Sequence, residues 1–263
     1  MTASDIQTAA REIAADIAAG NPFRPHAEAA GDDLAQAYAI QLAAVEDLLS
    51  SGRRSGVGGF KVALNAPALL ERYGITEPAG AHVFADEVRQ SPARLQLSFF
   101  GSFHYEPEIT AILNAPLPVR EDPYTQAEVA AAIGRFVPSF EVIDTRRANI
   151  PEISLAEAIA QNITNAGAVL GGPGLPPGDL DADTIRTVVR ENGETLLDAV
   201  GARPQPPLEA ATFVANLFRG RGVGLDSGMM ILCGAHQPPR PLTAPTRLEV
   251  DMGPLGAAEI TLE

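Results

Sequence analysis

Two glutamates and a histidine alternate in the segment His104-Tyr105-Glu106-Pro107-Glu108. If the segment is a β-strand, positions 104, 106 and 108 project from one face, with the two carboxylates within about 7 Å of each other. Like charges at that distance repel unless a cation lies between them or one is protonated. Pro107 cannot donate to a sheet ladder, so we expect an edge strand or a bulge. The alternative is an ordinary solvated strand face, because E-x-E arises easily in an acidic chain.

A third carboxylate, Glu141, lies in the otherwise apolar stretch VPSFEVID, residues 137–144. A buried unpaired carboxylate is costly, so a glutamate among such neighbours needs a partner. Together with Glu106 and Glu108 it would form a hard oxygen site, which favours Mg²⁺ or Mn²⁺ over zinc. Asp144 projects to the other face of a regular strand, and we hold it as a reserve ligand.

Lys61 is the other unusual residue, since it follows two glycines and stands among apolar residues in GGFKVAL, residues 58–64. One interpretation is a lysine whose stem packs while its ammonium reaches water. The other is a lysine near the carboxylates that binds an anionic substrate or transfers a proton. The residues around it leave both open.

Helices are predicted where capping residues precede apolar residues at helical spacing. Ser4 and Gln7 form a capping box for a first helix that stops at Gly20, and a second helix runs from about Asp33 to Gly52. These two helices predict a helical N-terminal region over residues 1–55, ahead of a catalytic domain over residues 56–263. Further helices are predicted over 67–73, from Thr125 through Phe136, from Ser154 through Ile163, and over 208–218.

Strands are predicted over 57–64, as a pair within 93–112, over 139–144, as a hairpin over 184–200, and in MMILCG, RLEVD and AEITLE. Asn192-Gly193 supplies the positive φ angles of a type I′ hairpin turn. Strands and helices do not alternate as βαβ units. The pattern therefore favours an α+β domain on a rolled, largely antiparallel sheet over a Rossmann fold.

The chain has 263 residues, with 19 Lys+Arg against 33 Asp+Glu and a formal net charge of −14. Nucleic acid is an unsuitable partner, because phosphates are held by clustered Lys and Arg. The single cysteine, Cys233, excludes an intramolecular disulfide framework and suits a reducing compartment. No secretory pattern and no apolar run of about 18 residues is present, so we expect a cytoplasmic protein without a membrane partner.

The ordered motifs resemble the 2-keto-4-pentenoate hydratase / 4-oxalocrotonate decarboxylase family of the fumarylacetoacetate hydrolase superfamily. The motifs are G-x-K at 59–61, E-x-E at 106–108, FEVIDTR at 140–146 and QNITNAGAVLGG at 161–172. The resemblance extends from about Ala37 to the C-terminus. It implies an α+β fold, namely a mixed β-roll of the fumarylacetoacetate hydrolase C-terminal type with a small helical N-terminal region.

The resemblance also implies a divalent-metal site. By motif position its ligands are Glu106, Glu108 and Glu141, and Lys61 is the catalytic or substrate-binding lysine. Thr164 falls where the family often has Ser or Ala near the active site. Homo-oligomers, and association with a sister decarboxylase or hydratase, are expected for such enzymes.

The chain departs from the family pattern around the proton-transfer residues. Hydratases carry an acid in an E-P-D segment, which here reads Glu77-Pro78-Ala79, and His104 stands where an arginine is common. Pro206-Pro207 replaces a usual H-P. The missing acid favours the decarboxylase branch, whereas the NAG segment at 165–167 favours the hydratases.

We therefore expect a metal-dependent lyase that adds water to a 2-hydroxy-2,4-dienoate to give a 4-hydroxy-2-oxo acid. Lys61, with His104 or a water in place of the missing acid, would move the proton. A 2-oxo acid decarboxylase is the first alternative, because both reactions use one enolate. A catalytically weakened partner subunit is the second, and a hydrolase or tautomerase of the wider superfamily is the third, disfavoured because the hydrolase-type fingerprint is absent.

Overall fold

The computed structural model describes the backbone of residues 1–263 and every side chain except that of residue 29. Its helices are α1 (Ala3–Ala19), α2 (Leu34–Ser50), α3 (Pro67–Tyr73), α4 (Gln126–Ala132), α5 (Leu155–Ala160) and α6 (Pro207–Arg219). Within the described residues, every helix is too short or too polar to cross a membrane.

The strands are β1 (Val57–Ala63), β2 (Ala79–Phe84), β3 (Val88–Gln90), β4 (Ala93–Leu95), β5 (Phe103–Leu113), β6 (Ile133–Asp144), β7 (Asn165–Leu170), β8 (Gly172–Pro173), β9 (Arg186–Glu191), β10 (Glu194–Val200), β11 (Met230–Ala235), β12 (Arg240–Pro241), β13 (Thr246–Asp251) and β14 (Gly256–Leu262). They form two sheets. The first has the order β2-β1-β11-β5-β6-β7-β3, with β12 also paired to β5. The second has the order β10-β9-β13-β14-β4, with β8 paired to β14.

Pairing within the sheets is antiparallel except at β1–β11, β3–β7 and β4–β14, which are parallel. The chain therefore has a mixed α/β fold with few helices. The division into residues 1–55 and 56–263 stays a prediction. Helices α1, α2 and α5 share one buried apolar cluster with Ala63 of β1 and Ala79 of β2, so the N-terminal helices pack directly on the sheet.

The strand that carries Glu106 and Glu108 lies in the middle of the first sheet, between β11 and β6. The expectation of an edge strand is therefore wrong, and the alternative expectation of a bulge is correct. The register of β11 against β5 shifts between Leu232 and Ala235, and Pro107 O accepts from His236 N at 2.9 Å on that side. Because the N and O atoms of one strand residue point the same way, the missing N–H of Pro107 faces this irregularity.

Two predicted helix boundaries are corrected by the structure. The capping box of α1 joins Thr2 and Asp5, not Ser4 and Gln7. The T-x-x-D pattern makes the same reciprocal bonds two residues earlier. The Thr125 capping box is confirmed, but α4 ends at Ala132. Ile133 continues into β6, where it pairs with Leu113, because tertiary strand pairing overrides the helical spacing of apolar residues.

Two further predictions fail for the same kind of reason. Residues 93–112 do not form a strand pair: β4 belongs to the second sheet and β5 to the first. The helix predicted from Ser154 through Ile163 ends at Ala160, and Ile163 has a left-handed φ of 44°. The Asn192-Gly193 hairpin is confirmed, with φ angles of 50° and 86°.

The glycine of the G-x-K motif has a steric role. Gly59 pairs with Met230 of β11, and a Cβ at Gly59 would lie 2.1 Å from Met230 O. The two strands therefore approach closely only if residue 59 has no side chain. This close approach fixes the position of Lys61 relative to β11.

We expect Gly59→Ala to lower the free energy of unfolding by about 2–3 kcal/mol, because overpacking forces β1 away from β11. Urea unfolding followed by circular dichroism measures the change. Gly178→Ala is the matched control, since a Cβ there meets nothing within 4 Å, and it should change stability by less than about 0.5 kcal/mol. Equal effects of the two substitutions would contradict this account.

Candidate metal centre

The three glutamates singled out from the sequence converge in space. Glu106 of β5 is directly opposite Glu141 of β6 in the antiparallel register, and Glu108 lies two residues further along the same face. One carboxylate oxygen from each residue lies within 4.8 Å of the others. Glu108 and Glu141 are 1% and 0% exposed, and Glu106 is half-buried. The alternative of a solvated strand face is therefore wrong.

Lys61 is the nearest cation to this cluster. Its Nζ donates to Glu141 Oε1, and the residue is 3% exposed. The alternative in which the ammonium reaches water is therefore wrong. Burial lowers the pKa of Lys61, but the carboxylates of Glu141, Glu106 and Glu108 raise it by more, so the net pKa lies above its usual value. Lys61 is also the only lysine in the chain.

One ammonium does not balance three carboxylates. Burial, followed by the charge of Glu141, raises the pKa of Glu106 to about 8, although Lys61 opposes the shift. Burial and the two neighbouring carboxylates raise the pKa of Glu108 well above its usual value. This holds even though Gly234 N donates to Glu108 Oε2 at 2.8 Å. The cluster therefore holds more negative charge than its surroundings stabilise.

A divalent cation fits this donor set. Glu141 Oε2 is buried and, among the described residues, has no hydrogen-bond partner. A buried carboxylate oxygen without a partner is costly, and coordination of a cation would satisfy it. Three carboxylates with no thiolate or imidazole among them are the hard ligands that Mg²⁺ and Mn²⁺ take. Glu106, Glu108 and Glu141 are thus able to hold such an ion.

Asn165 is a member of the site that the sequence argument did not single out. Its Nδ2 donates to Glu141 Oε1 at 2.9 Å, and its Oδ1 accepts from Gly167 N at 3.1 Å. The amide therefore orients the carboxylate, as groups behind metal ligands commonly do. The signal was present in QNITNAG, but that motif was assigned through Thr164 rather than through Asn165.

A strained turn brings Asn165 to the cluster. Asn162, Ile163 and Thr164 have left-handed φ angles of 57°, 44° and 55°, which non-glycine residues adopt at a cost of order 1 kcal/mol or more each. The side chain of Asn162 bonds both His82 N at 2.8 Å and His82 O at 2.9 Å. This pairing with the backbone of β2 holds the turn in place.

The remaining residues predicted from the sequence are His104, Thr164 and the reserve ligand Asp144. His104 is on the same face of β5 as Glu106, and its Nδ1 lies 3.1 Å from Ser102 O. Thr164 is in the strained turn, next to Asn165, and its role in the site stays a prediction. Asp144 is wrong as a reserve ligand, because it accepts from backbone amides, including those of Gly101 and Ser102.

Comparison with known proteins gives the class. No protein-family model matches the chain. Ten curated proteins match it in sequence, and they include 2-keto-4-pentenoate hydratases and 4-oxalocrotonate decarboxylases at 26–28% identity. A 2-oxo-hept-4-ene-1,7-dioate hydratase of Escherichia coli is 29% identical over 227 residues, which cover 84% of this chain and 84% of that protein.

Solved structures agree on the fold. A 4-oxalocrotonate decarboxylase from Pseudomonas putida, complexed with magnesium and adipate, superposes with a TM-score of 0.88 at 22% identity, covering 100% of this chain and 99% of that one. A fumarylpyruvate hydrolase from Pseudomonas aeruginosa, in complex with Mn²⁺ and pyruvate, has a TM-score of 0.56 at 14% identity over 77% of this chain and 88% of that one. The sequence relatives thus confirm the resemblance to the hydratase / decarboxylase family, and the solved structures share the fold.

The metal fit has a direct test in Glu106→Gln. We expect saturating Mg²⁺ at 100 times its dissociation constant to stabilise the wild type by about 2.7 kcal/mol and the variant by far less. Without Mg²⁺ the variant should be as stable as the wild type or more so, because it removes one of three repelling carboxylates while keeping the Lys61–Glu141 pair. Thermal unfolding with and without EDTA measures both. Glu249→Gln, on the exposed side of β13, is the control, and an unchanged Mg²⁺ effect in Glu106→Gln would refute the site.

The charge of Lys61 can be measured directly. Protein grown with lysine labelled with carbon-13 at Cε gives one signal, because the chain has one lysine. Without metal we expect this signal to titrate above the usual lysine pKa of about 10.4, because the carboxylates hold the proton. With Mg²⁺ the pKa should fall, since neutralised carboxylates no longer offset burial. A pKa that is insensitive to Mg²⁺ would contradict the shared environment.

Proposed function

We propose that this protein is a divalent-metal-dependent hydro-lyase that adds water to a 2-hydroxy-2,4-dienoate, the enol form of a 2-oxo-4-enoate, to give a 4-hydroxy-2-oxo acid in aromatic-compound catabolism. The observation that carries the proposal is the convergence of Glu106, Glu108 and Glu141 beside the buried Lys61. The reaction class comes from the sequence relatives, which are named as hydratases and decarboxylases of small 2-oxo acids.

In this proposal the three glutamates hold Mg²⁺ or Mn²⁺, with the unpartnered Oε2 of Glu141 as one ligand atom. The bound ion supplies a Lewis acid that neutralises charge on the enolate oxygens of the substrate. Asn165 keeps Glu141 in a fixed orientation through its Nδ2. The buried floor of the centre excludes bulk water from Glu108 and Glu141.

Lys61 holds the proton that the reaction moves. Its ammonium is buried and aimed at the glutamate cluster, so it lies beside the position of an enolate and can deliver a proton to carbon during ketonisation. His104, on the same strand face as Glu106, or a water molecule takes the second proton-transfer role. Thr164, next to Asn165 in the sequence, completes the set of proposed catalytic residues.

A 4-oxalocrotonate-type decarboxylase is the second candidate, and Ala79 favours it. Ala79 is buried, and it lies on the same face of β2 as Ala81, which pairs with Lys61. A methyl group thus occupies the place where the hydratase pattern has an acid. The same enolate would accept the electrons released as CO₂ leaves, so the ligands alone do not separate the two reactions.

The finer description of the fold is part of the proposal. A mixed β-roll of the fumarylacetoacetate hydrolase C-terminal type, over 56–263, is supported by contact between β2 and β7, which lie near opposite ends of the first sheet. A cytoplasmic location is supported by the lone, buried Cys233. We also propose that the protein assembles as a homo-oligomer or with a sister decarboxylase or hydratase.

Turnover distinguishes the candidates. The pure protein with Mg²⁺ is assayed on 2-hydroxypenta-2,4-dienoate and on 2-oxohex-3-enedioate, following ultraviolet absorbance and released CO₂. A hydratase yields a 4-hydroxy-2-oxo acid without CO₂, and a decarboxylase releases one CO₂ per substrate. We expect Lys61→Arg to lower kcat by at least about 100-fold, because arginine keeps the charge beside Glu141 but does not give up its proton. Absence of turnover on both substrates would refute the proposal.

A further inference from the structure

The backbone amide that donates to Glu108 belongs to an irregular part of β11. Pairing of β11 with β1 ends at Leu232, and its pairing with β5 passes from Leu232 to Ala235. The peptide group that joins Cys233 to Gly234, called here the 233–234 peptide, lies in this gap. The regular ladder therefore does not fix the direction of its N–H. That N–H nevertheless donates to Glu108 Oε2 at 2.8 Å, so another contact must orient the peptide.

The side-chain amide of Asn65 bonds the opposite side of the 233–234 peptide. Asn65 follows the end of β1, and its Nδ2 donates to Cys233 O at 3.4 Å and to Gln205 Oε1 at 2.9 Å. The C=O and N–H of a trans peptide point in opposite directions. A donor that holds the carbonyl therefore directs the N–H of the same peptide toward Glu108.

Gly234 allows the amide of Asn65 to approach this closely. Gly234 has a φ of 113°, and a Cβ there would lie 2.4 Å from Asn65 Nδ2 and 2.9 Å from Asn65 Oδ1. Asn65 therefore packs directly on the backbone that it bonds. Both residues are buried, and hydrogen bonds are stronger there than in water because the local dielectric constant is low.

Gln205 determines which atom of the Asn65 amide faces the peptide. Because Gln205 Oε1 is an acceptor, the NH₂ group of Asn65 lies next to it, and the second hydrogen of that group is left for Cys233 O. The hydrogen bonds thus run from Gln205 through Asn65 and the 233–234 peptide to Glu108. Each bond in such a chain polarises and strengthens the next.

We propose that Asn65 is a positioning residue for the metal centre, which acts through the 233–234 peptide to fix the carboxylate of Glu108. The inference rests on the proposed function and adds to it a determinant of metal affinity. Asn165 orients Glu141 by a direct bond, so each of the two most buried glutamates has an asparagine behind it. Loss of such support commonly weakens metal binding by about 10- to 100-fold.

The 233–234 peptide can be observed alone, because Cys233 is the only cysteine in the chain. Protein labelled with carbon-13 at the cysteine carbonyl and with nitrogen-15 in glycine gives one carbonyl-filtered amide signal, that of Gly234. In the metal-free protein we expect Asn65→Leu to move the Gly234 amide proton upfield and to speed its exchange with solvent, because its bond to Glu108 weakens. Glu108→Gln marks the shift that follows when the acceptor loses its charge.

Calorimetric titration with Mg²⁺ measures the second consequence. We expect Asn65→Leu to raise the Mg²⁺ dissociation constant by at least about 10-fold. Gln205→Met removes the acceptor that orients Asn65 but leaves Asn65 itself in place. It should raise the constant by a few fold and move the Gly234 signal in the same direction. Because Gln205 is only half-buried, this variant tests the proposal even if Asn65→Leu does not fold.

Asn216→Leu is the matched control. The side-chain amide of Asn216 also bonds a backbone, that of Tyr124, at 2.7 and 2.9 Å, but neither residue belongs to the glutamate cluster. The control should lower thermal stability without changing the Mg²⁺ constant or the Gly234 signal. An unmoved Gly234 signal or an unchanged Mg²⁺ constant in folded Asn65→Leu would overturn the inference alone. Failure of the wild type to bind Mg²⁺ would overturn the proposed metal site and the inference with it.

Discussion

The structure around the glutamate cluster depends on an imbalance between negative and positive charge. Glu106, Glu108 and Glu141 lie close together in a largely buried environment, and the single ammonium beside them, that of Lys61, bonds Glu141 alone. Burial disfavours every one of these charges, and the pKa values of Glu106 and Glu108 rise accordingly. Such an arrangement is unfavourable unless a cation joins it. The proposed divalent metal ion would supply the positive charge that this cluster lacks.

The sheet supplies the rigidity that this arrangement needs. Antiparallel pairing of β5 with β6 sets Glu106 against Glu141 directly, and both strands are central in their sheet. The irregularity in β11 frees Gly234 N to bond Glu108. Gly59 lets β1 approach β11 closely enough to bring Lys61 to the same face. Each of these charged residues thus comes from a strand that cannot shift without breaking its hydrogen-bond ladder.

Hydration and decarboxylation make the same first demand on this site, which is to stabilise an enolate. The two reactions differ in the step that follows, and the chain departs from the hydratase pattern at Ala79, on the same face of β2 as the residue that pairs with Lys61. The sequence relatives include both kinds of enzyme. The three glutamates and Lys61 therefore do not by themselves separate the two reactions.

Local signals predicted much of the secondary structure. The Thr125 capping box, the Asn192-Gly193 turn and the Pro67–Tyr73 helix formed as expected, because caps and turns act over a few residues. Helix ends failed where distant strands competed: Ile133 joined β6 and Ile163 left α5. Because side chains alternate along every strand, the sequence alone was enough to predict that Glu106 and Glu108 lie on one face.

Residue types and spacing alone were enough to nominate the three glutamates and Lys61, because a carboxylate or an ammonium among apolar neighbours has few stable explanations. Folding had to reveal the rest. Asn165 reaches Glu141 only because three consecutive left-handed residues turn the chain. Arg221, two residues after the end of α6, meets Tyr38 of α2, with its guanidinium carbon 3.8 Å from the centre of the ring. Neither contact follows from sequence spacing, since each joins segments whose approach is set by the packing of the whole domain.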